Sequence, residues 1–423
     1  MSIERTLTRV SGFGKVAFSL TLAMFCAGMA FAQEKPIGVS VHPGGLAPEK
    51  QEAQLRLVQD VKLTSVRFDM PWKFIETQPG HYEIPRDLER YVDAAKQRGI
   101  EPVLILDYGN PLYDGGDKPR SQAAINAYVN YAQYVVRHFR GRVRQFEVWN
   151  EWDNHTGGFE AGSAEDYAAL FRATYPAIKA ANHDSIVLVG AGVRKGWEER
   201  LAGLGVIQMG DGLAVHPYNY QTADDLAPEH CARTLVELES RLRSLTGKAN
   251  VDLYITEIGW PTNSGKFGVT EQAQRSFATR LALLMQAIPF VKGVWWYDLI
   301  DDGVDPLNKE HHFGLFRNTL AAKPAAAGIA AAAALSGSRS IRLSSNEGLN
   351  DGAVAIESRS FSGGPGEAIV WDVRQSGRIG IECVPGRGPR AVKREYGAAS
   401  VGAAPTIVVE RDGKCAARAV DPD

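Results

Sequence analysis

The 423 residues contain no CxxC pair, no HExxH and no close cluster of His with Cys, so neither a structural zinc site nor a zinc-hydrolase centre is indicated. Blocks of Lys and Arg with interleaved aromatics are also missing, and the formal net charge is −2. Nucleic acid is therefore a poor partner. The turn after the first apolar run reads His42-Pro43-Gly44-Gly45, and Gly190, Gly192 and Gly196 have the wrong spacing for GxGxxG. A doubly wound, dinucleotide-binding sheet lacks its fingerprint, and no cofactor is expected. Hydrophobic residues at 44% and charged residues at 23% are those of a globular chain rather than a disordered or multi-span one.

The longest apolar run, Val16 to Phe31, falls short of the ~20 residues a spanning helix needs. It follows Arg5, Arg9 and Lys15 and ends in Ala30-Phe31-Ala32, the pattern of an export signal with cleavage expected after Ala32. A lipid anchor on Cys26 is disfavoured, because Phe25 stands where a small residue is needed. Three cysteines then remain. Cys383 and Cys415 share the C-terminal region and could pair in an oxidising compartment, although spacing alone does not prove it. Cys231 falls in a helical stretch and reads as a small buried apolar residue.

Along the chain, short apolar runs alternate with helical spacing. The candidate strands are Ile37 to Val41, Ser65 to Asp69, Pro102 to Asp107, Gln145 to Trp149, Ile186 to Val189, Gly212 to Val215, Leu253 to Thr256 and Gly293 to Tyr297. Eight such units predict a (β/α)8 TIM barrel over residues 33–338. Among the intervening helices, Pro48 to Val61 places Ala53, Leu57 and Val61 on one face, and Ala321 to Leu335 closes the barrel with Pro324 in its first turn. From 339 to 423, short runs broken by Gly and Pro predict a small β-sandwich-like domain. Its one tryptophan, Trp371, favours a scaffold over a carbohydrate-binding module.

In a barrel of this kind the chemistry gathers at the C-terminal strand ends. Those ends carry His42; Arg67 and Trp72; Asp107, Tyr108 and Asn110; Asn150 and Glu151; His216 and Tyr218; Glu257 and Trp260; and Trp295, Trp296 and Asp298. Two carboxylates stand out. Glu151 ends the fourth strand in FEVWNEWDN, and Glu257 ends the seventh in LYITEIGWPT. Their strands face each other across a narrow mouth, an arrangement that suits two-carboxylate glycoside hydrolysis with retention. Glu310 lies beside His311 and His312 in the last loop and can also face substrate; a metal on the paired histidines lacks further ligands.

Asn150-Glu151 after strand four and Glu257 after strand seven resemble the clan of retaining glycoside hydrolases built on (β/α)8 barrels, clan A. Trp149-Asn150-Glu151, His216-Pro217-Tyr218 and His311-His312-Phe313-Gly314 are most similar to glycoside hydrolase family 39 and its bacterial exopolysaccharide-cleaving members. The Glu257-Ile258-Gly259-Trp260-Pro261 run is also similar to β-1,3-glucanases of the clan. The resemblance spans Ile37 to Leu335. It implies Glu151 as general acid/base, protonated at rest with a raised pKa, and Glu257 as ionised nucleophile. It further implies Arg67 and Tyr218 as partners of Glu257, Asn150 on the 2-hydroxyl of the sugar, and an aromatic floor at strand eight, for which Trp295 is favoured over Trp296. Tyr108, His216, Trp260 and Glu310 complete the expected substrate contacts.

The expectation is thus an exported, monomeric retaining endo-glycoside hydrolase of β-linked polysaccharide, with a bacterial exopolysaccharide as substrate. The alternatives are a β-glucanase or β-xylosidase of the clan, and a non-catalytic polysaccharide-binding barrel, for which a matched carboxylate pair has no use.

Overall fold

The computed structural model describes residues 35–221, 225–363, 366–374, 379–384, 388–393, 402–411 and 414–421. The proposed export signal lies outside them. Residues from Lys35 onward form one compact unit, and among the described residues no helix is long and apolar enough to cross a membrane.

All eight expected barrel strands are present: β1 (Ile37–Ser40), β2 (Ser65–Pro71), β3 (Glu101–Asp107), β4 (Gln145–Val148), β5 (Ile186–Val189), β6 (Gly212–Val215), β7 (Leu253–Ile258) and β8 (Val291–Trp296). They pair in parallel and close as β1-β8-β7-β6-β5-β4-β3-β2. Closure buries both faces, which is why β7 is buried at every position and β3 at all but its first. The helices outside start on side-chain caps where the sequence offers them. Ser121, Ser163 and Thr270 each accept the backbone N–H three residues on, satisfying a donor the helix cannot. Pro324 begins the closing helix, Pro324–Ser336. The first helix, Pro48–Asp60, seats Gln51, Leu55 and Val58 rather than Ala53 and Leu57. The Gln51 amide donates to Pro43 O and Asp87 O, so a polar residue belongs to the buried stripe and shifts it from the purely apolar pattern.

Beyond the barrel stand β9 (Arg339–Leu343), β10 (Ala353–Ser360), β11 (Glu367–Asp372), β12 (Ile379–Val384), β13 (Gly388–Lys393), β14 (Thr406–Arg411) and β15 (Lys414–Ala419). Five of them form an antiparallel sheet ordered β9-β10-β11-β14-β15, and β12 pairs with β13. A Cys383–Cys415 disulfide ties that hairpin to the edge strand β15, while Cys231 is buried and free. Trp371 is fully buried, and its indole donates to Glu229 of a barrel helix at 2.7 Å. Arg275 of another barrel helix grips Asp421 through two hydrogen bonds of 2.7 and 2.8 Å. The tryptophan that a binding module would expose therefore anchors this sheet to the barrel.

Candidate active site

The FEVWNEWDN segment leaves β4 through two residues in the left-handed region, Trp149 (φ 65°) and Glu151 (φ 49°). Such conformations cost on the order of 1–3 kcal/mol each for non-glycine residues, so the surroundings must hold them. Trp149 is buried among Trp152, Tyr108 and Tyr128, and its backbone N–H donates to Leu106 O. The consequence is geometric. Strict alternation would send Asn150 and Glu151 to opposite faces, yet both line the cleft.

An irregularity also re-aims the second carboxylate. Between Val294 and Trp296 of β8, the partner strand β7 advances from Ile255 to Ile258, a bulge that lets neighbouring Thr256 and Glu257 both turn inward. An oxygen of Glu257 and one of Glu151 lie within 4.8 Å of each other and of a His216 nitrogen. The cleft above them encloses about 820 Å³.

Arg67, buried on β2, spreads its guanidinium over three partners: Glu147 (2.8 Å), Glu257 (2.7 Å) and the Asn150 amide oxygen (2.9 Å). Burial opposes its charge, but Glu147 and Glu257 outweigh that and hold Arg67 well above its ordinary pKa. Tyr218 donates to Glu257 at 3.1 Å; burial and the Glu257 charge push its phenol far up, so it keeps the proton it donates. Asn150 donates in turn to the Tyr108 hydroxyl at 3.1 Å.

His216 Nδ1 lies 2.9 Å from Glu151 and 3.8 Å from Glu257, while Nε2 is 3.0 Å from Thr256 Oγ1. Thr256 donates onward to Glu147 over 3.4 Å, which leaves its oxygen free to accept from Nε2–H and makes Nδ1 the titrating nitrogen. Burial works against the imidazolium, but Glu257 and Glu151 prevail and raise its pKa. Burial likewise pulls Glu151 up, yet the His216 imidazolium, Asn154 (2.8 Å) and Arg67 bring it below the ordinary value. The expectation of a raised Glu151 is therefore corrected. Both shifts favour the ion pair of a His216 imidazolium with a Glu151 carboxylate.

Of the other expected contacts, Tyr108 and Glu310 line the cleft. Glu310 is paired with Lys309, whose ammonium also reaches the Tyr220 hydroxyl. Trp295 and Trp260 do not line it, and both expectations are corrected. Trp295 does face the barrel interior, but one layer below the mouth. Its indole donates to Ser65 Oγ at 2.9 Å and occupies space left by Gly38, where a Cβ would stand 2.4 Å from the ring. Tyr297, two residues further along, lines the cleft in its place. Trp260 turns outward onto Phe277 and Trp296, fully buried. His311 and His312 bond to the backbone of Asp305 and organise their own loop. Sequence reading missed Glu147, Asn154 and Thr256; a charged residue within the apolar run of β4 was the one available signal for Glu147.

Residues 30–296 match the model of the cellulase family, glycosyl hydrolase family 5. Similar solved structures include a family 39 glycoside hydrolase from the gut symbiont Bacteroides cellulosilyticus WH2, 21% identical with TM-score 0.68, covering 92% of this chain and 80% of that one. A GH5_18 enzyme from Streptomyces cattleya, in complex with GlcNAc, is 17% identical with TM-score 0.60 and covers 72% of this chain and 80% of its own. The GH39 enzyme from Xanthomonas axonopodis pv. citri is 20% identical with TM-score 0.58, covering 80% and 72%.

Proposed function

Because the chain belongs to the cellulase family of glycoside hydrolases, family 5 of the retaining clan A, we propose that Glu151 and Glu257 are its two catalytic carboxylates. The observation that carries this reading is their approach to within 4.8 Å across one cleft. Retaining enzymes hold the pair roughly 5–5.5 Å apart, whereas inverting ones leave 6.5–9.5 Å for a water.

Glu257 attacks the anomeric carbon, held ionised by Arg67 and oriented by Tyr218. Glu151 gives a proton to the glycosidic oxygen as the carbon–oxygen bond breaks, and a glycosyl ester of Glu257 forms. Glu151, now a carboxylate, takes a proton from water, and that water displaces Glu257 with net retention. Before the first step the proton passes from His216 Nδ1 to Glu151 along their 2.9 Å hydrogen bond. Sugar filling the cleft excludes water, and loss of solvation favours the neutral acid and neutral imidazole over the ion pair. Asn150 meets the 2-hydroxyl of the sugar.

The substrate is a β-linked polysaccharide cut internally by an exported enzyme, with a bacterial exopolysaccharide as its class. Supporting internal cleavage, exposed side chains flank both sides of the cleft, Arg194 and Lys195 after β5 and His42 and Glu310 after β1 and β8. The cellulase family match favours a second reading, a β-glucan backbone. Both are tested by hydrolysis of β-linked polysaccharides and aryl β-glycosides by wild type, Glu151→Gln and Glu257→Gln, with the anomer followed by NMR. The reading requires β-product from the wild type and its loss in folded variants; α-product would refute it.

A further inference from the structure

Glu151 is held at both of its carboxyl oxygens. His216 meets Oε1, while Oε2 accepts from Asn154 Nδ2 at 2.8 Å and from Thr156 Oγ1 at 3.5 Å. Asn154 and Thr156 stand in the loop after β4, outside any helix or strand. Their support comes from the adjacent loop, between β3 and the helix that Ser121 caps. Lys118 of that loop is completely buried, and its ammonium donates to Asn154 O at 3.0 Å, Thr156 O at 3.3 Å and Glu160 O at 2.9 Å. All three of its donors thus go to one loop, and two of the carbonyls belong to the residues whose side chains reach Glu151. The rings of Trp149 and Trp152, with centroids 5.9 and 6.0 Å from Nζ, add the attraction of a cation to an indole. Gly158 permits the approach, because a Cβ there would stand 2.2 Å from Asp117 Oδ1 and 3.0 Å from Lys118 Nζ. Phe159 N–H donates to Asp117 Oδ1 at 2.9 Å and Gly109 N–H to Gly157 O at 3.2 Å, so the two loops are knit together.

We propose that Lys118 is a positioning residue for the reaction: its ammonium shapes the loop after β4 so that Asn154 and Thr156 hold the Glu151 carboxyl where it protonates the leaving group. Lys118 itself touches neither Glu151 nor the cleft lining, and it acts through the carbonyls it binds. Desolvating an ammonium is costly, and an apolar side chain would fill the same space without that cost, so it is the charge that this position requires. Burial pushes the lysine down to about 8, with Asp117 and Asp153 pulling the other way, and at neutral pH the ammonium keeps its proton. Asn154 is fixed at three points: its carbonyl by Lys118, its Oδ1 by the Thr156 N–H and its Nδ2 by Glu151. Without Lys118 the first is lost and the loop carrying the other two is free to shift. A catalytic group displaced by about an ångström loses rate steeply.

The inference rests on Glu151 being the acid/base, and the experiment separates the two. Values of kcat/KM are measured on phenyl and dinitrophenyl β-glycosides of the sugar that the wild type cleaves, for the wild type, Lys118→Met, Asn154→Ala, their double variant and Glu151→Gln. Amide hydrogen exchange of residues 154–160 is followed alongside. Lys118→Met keeps an apolar stem without the charge. Gly158→Ala pushes the loop off the ammonium and removes no charge, and it replaces the methionine variant should that fail to fold. Either change should speed exchange at 154–160 and lower kcat/KM about tenfold to 100-fold on the phenyl glycoside, but little on the dinitrophenyl one, whose leaving group departs without a proton. The double variant should lose less than the product of the two single losses, because Lys118 acts through Asn154. Unchanged exchange at 154–160, independent losses in the double variant, or equal losses on both substrates in Lys118→Met while Glu151→Gln distinguishes them would each overturn the proposal. Faster exchange with no leaving-group difference in any variant, Glu151→Gln included, would support the hold of Lys118 on the loop and refute the assignment of Glu151.

Discussion

His216 Nδ1 sits 2.9 Å from the Glu151 carboxylate, in a cleft where burial disfavours both charges and proximity restores them. The acid that the reaction needs is therefore stored one hydrogen bond away from the group that delivers it. That relationship gives the site a signature in pH.

For kcat/KM, the alkaline limb should follow loss of the proton shared by the pair, at the raised His216 value rather than at an ordinary carboxyl. His216→Gln should move that limb to lower pH, because the proton then rests on Glu151 alone. Stability has its own window. A raised histidine stabilises fully below its unfolded value of 6.5 and loses this as pH rises through the folded pKa; a lowered carboxyl stabilises above 4.5 and loses this as pH falls through its folded pKa. The melting-temperature gap between wild type and His216→Gln should thus be widest between pH 4.5 and 6.5. A gap that is flat with pH, in thermal melts across this range, would remove the ion pair.

Arg67 links both sides of the mouth through Glu147, Glu257 and Asn150. Arg67→Ala leaves fully buried Glu147 without its cation and should cost about 3–5 kcal/mol in denaturant unfolding. Arg67→Lys keeps a charge but loses the fork, and kcat should fall about 100-fold in a folded protein.

Leaving-group dependence separates the two carboxylates. In kcat/KM, Glu151→Gln should lose about 100-fold or more on a polysaccharide and little on a dinitrophenyl glycoside, whose phenolate departs without a proton, while kcat falls on both because Glu151 also activates the water. Glu257→Gln should lose both activities alike. Steady-state rates on the two substrates read the difference, and equal losses in both variants would contradict the assignment.

Trp371→Phe removes one hydrogen bond and leaves the buried Glu229 oxygen it served only the ion pair with Arg280 at 3.5 Å. Unfolding free energy should fall by about 1–3 kcal/mol with polysaccharide KM unchanged. A raised KM would instead make the C-terminal sheet part of substrate binding.

Most of the barrel was legible because its strands are short apolar runs between helical stretches, and such runs keep their period whatever surrounds them. That Glu151, Glu257, Arg67 and Tyr218 meet in one cleft was legible through strand-end position and the paired Asn150-Glu151 and Glu257 motifs. What sequence could not supply was depth. Trp295 and Tyr297 share a face, and only the β1–β8 register, which sets Trp295 beside Gly38, shows that one is a floor of the barrel and the other of the cleft. The Glu151 pKa was misjudged for a related reason. Burial alone raises it, but the opposing charge comes from His216, 65 residues away in sequence, and no local pattern shows that contact. Trp260 looked like a strand-end platform, yet its ring turns outward to Phe277.

In the proposed double displacement, Glu257 becomes covalently attached to the sugar. Incubation with 2-deoxy-2-fluoro β-glycosides that slow the second displacement, followed by proteolysis and mass spectrometry, reads it directly. Time-dependent inactivation should follow, with one glycosyl label on Glu257 and none in Glu257→Gln. A label on Glu151 or Glu147, or steady turnover of the fluorosugar with inverted product and no label, would contradict it.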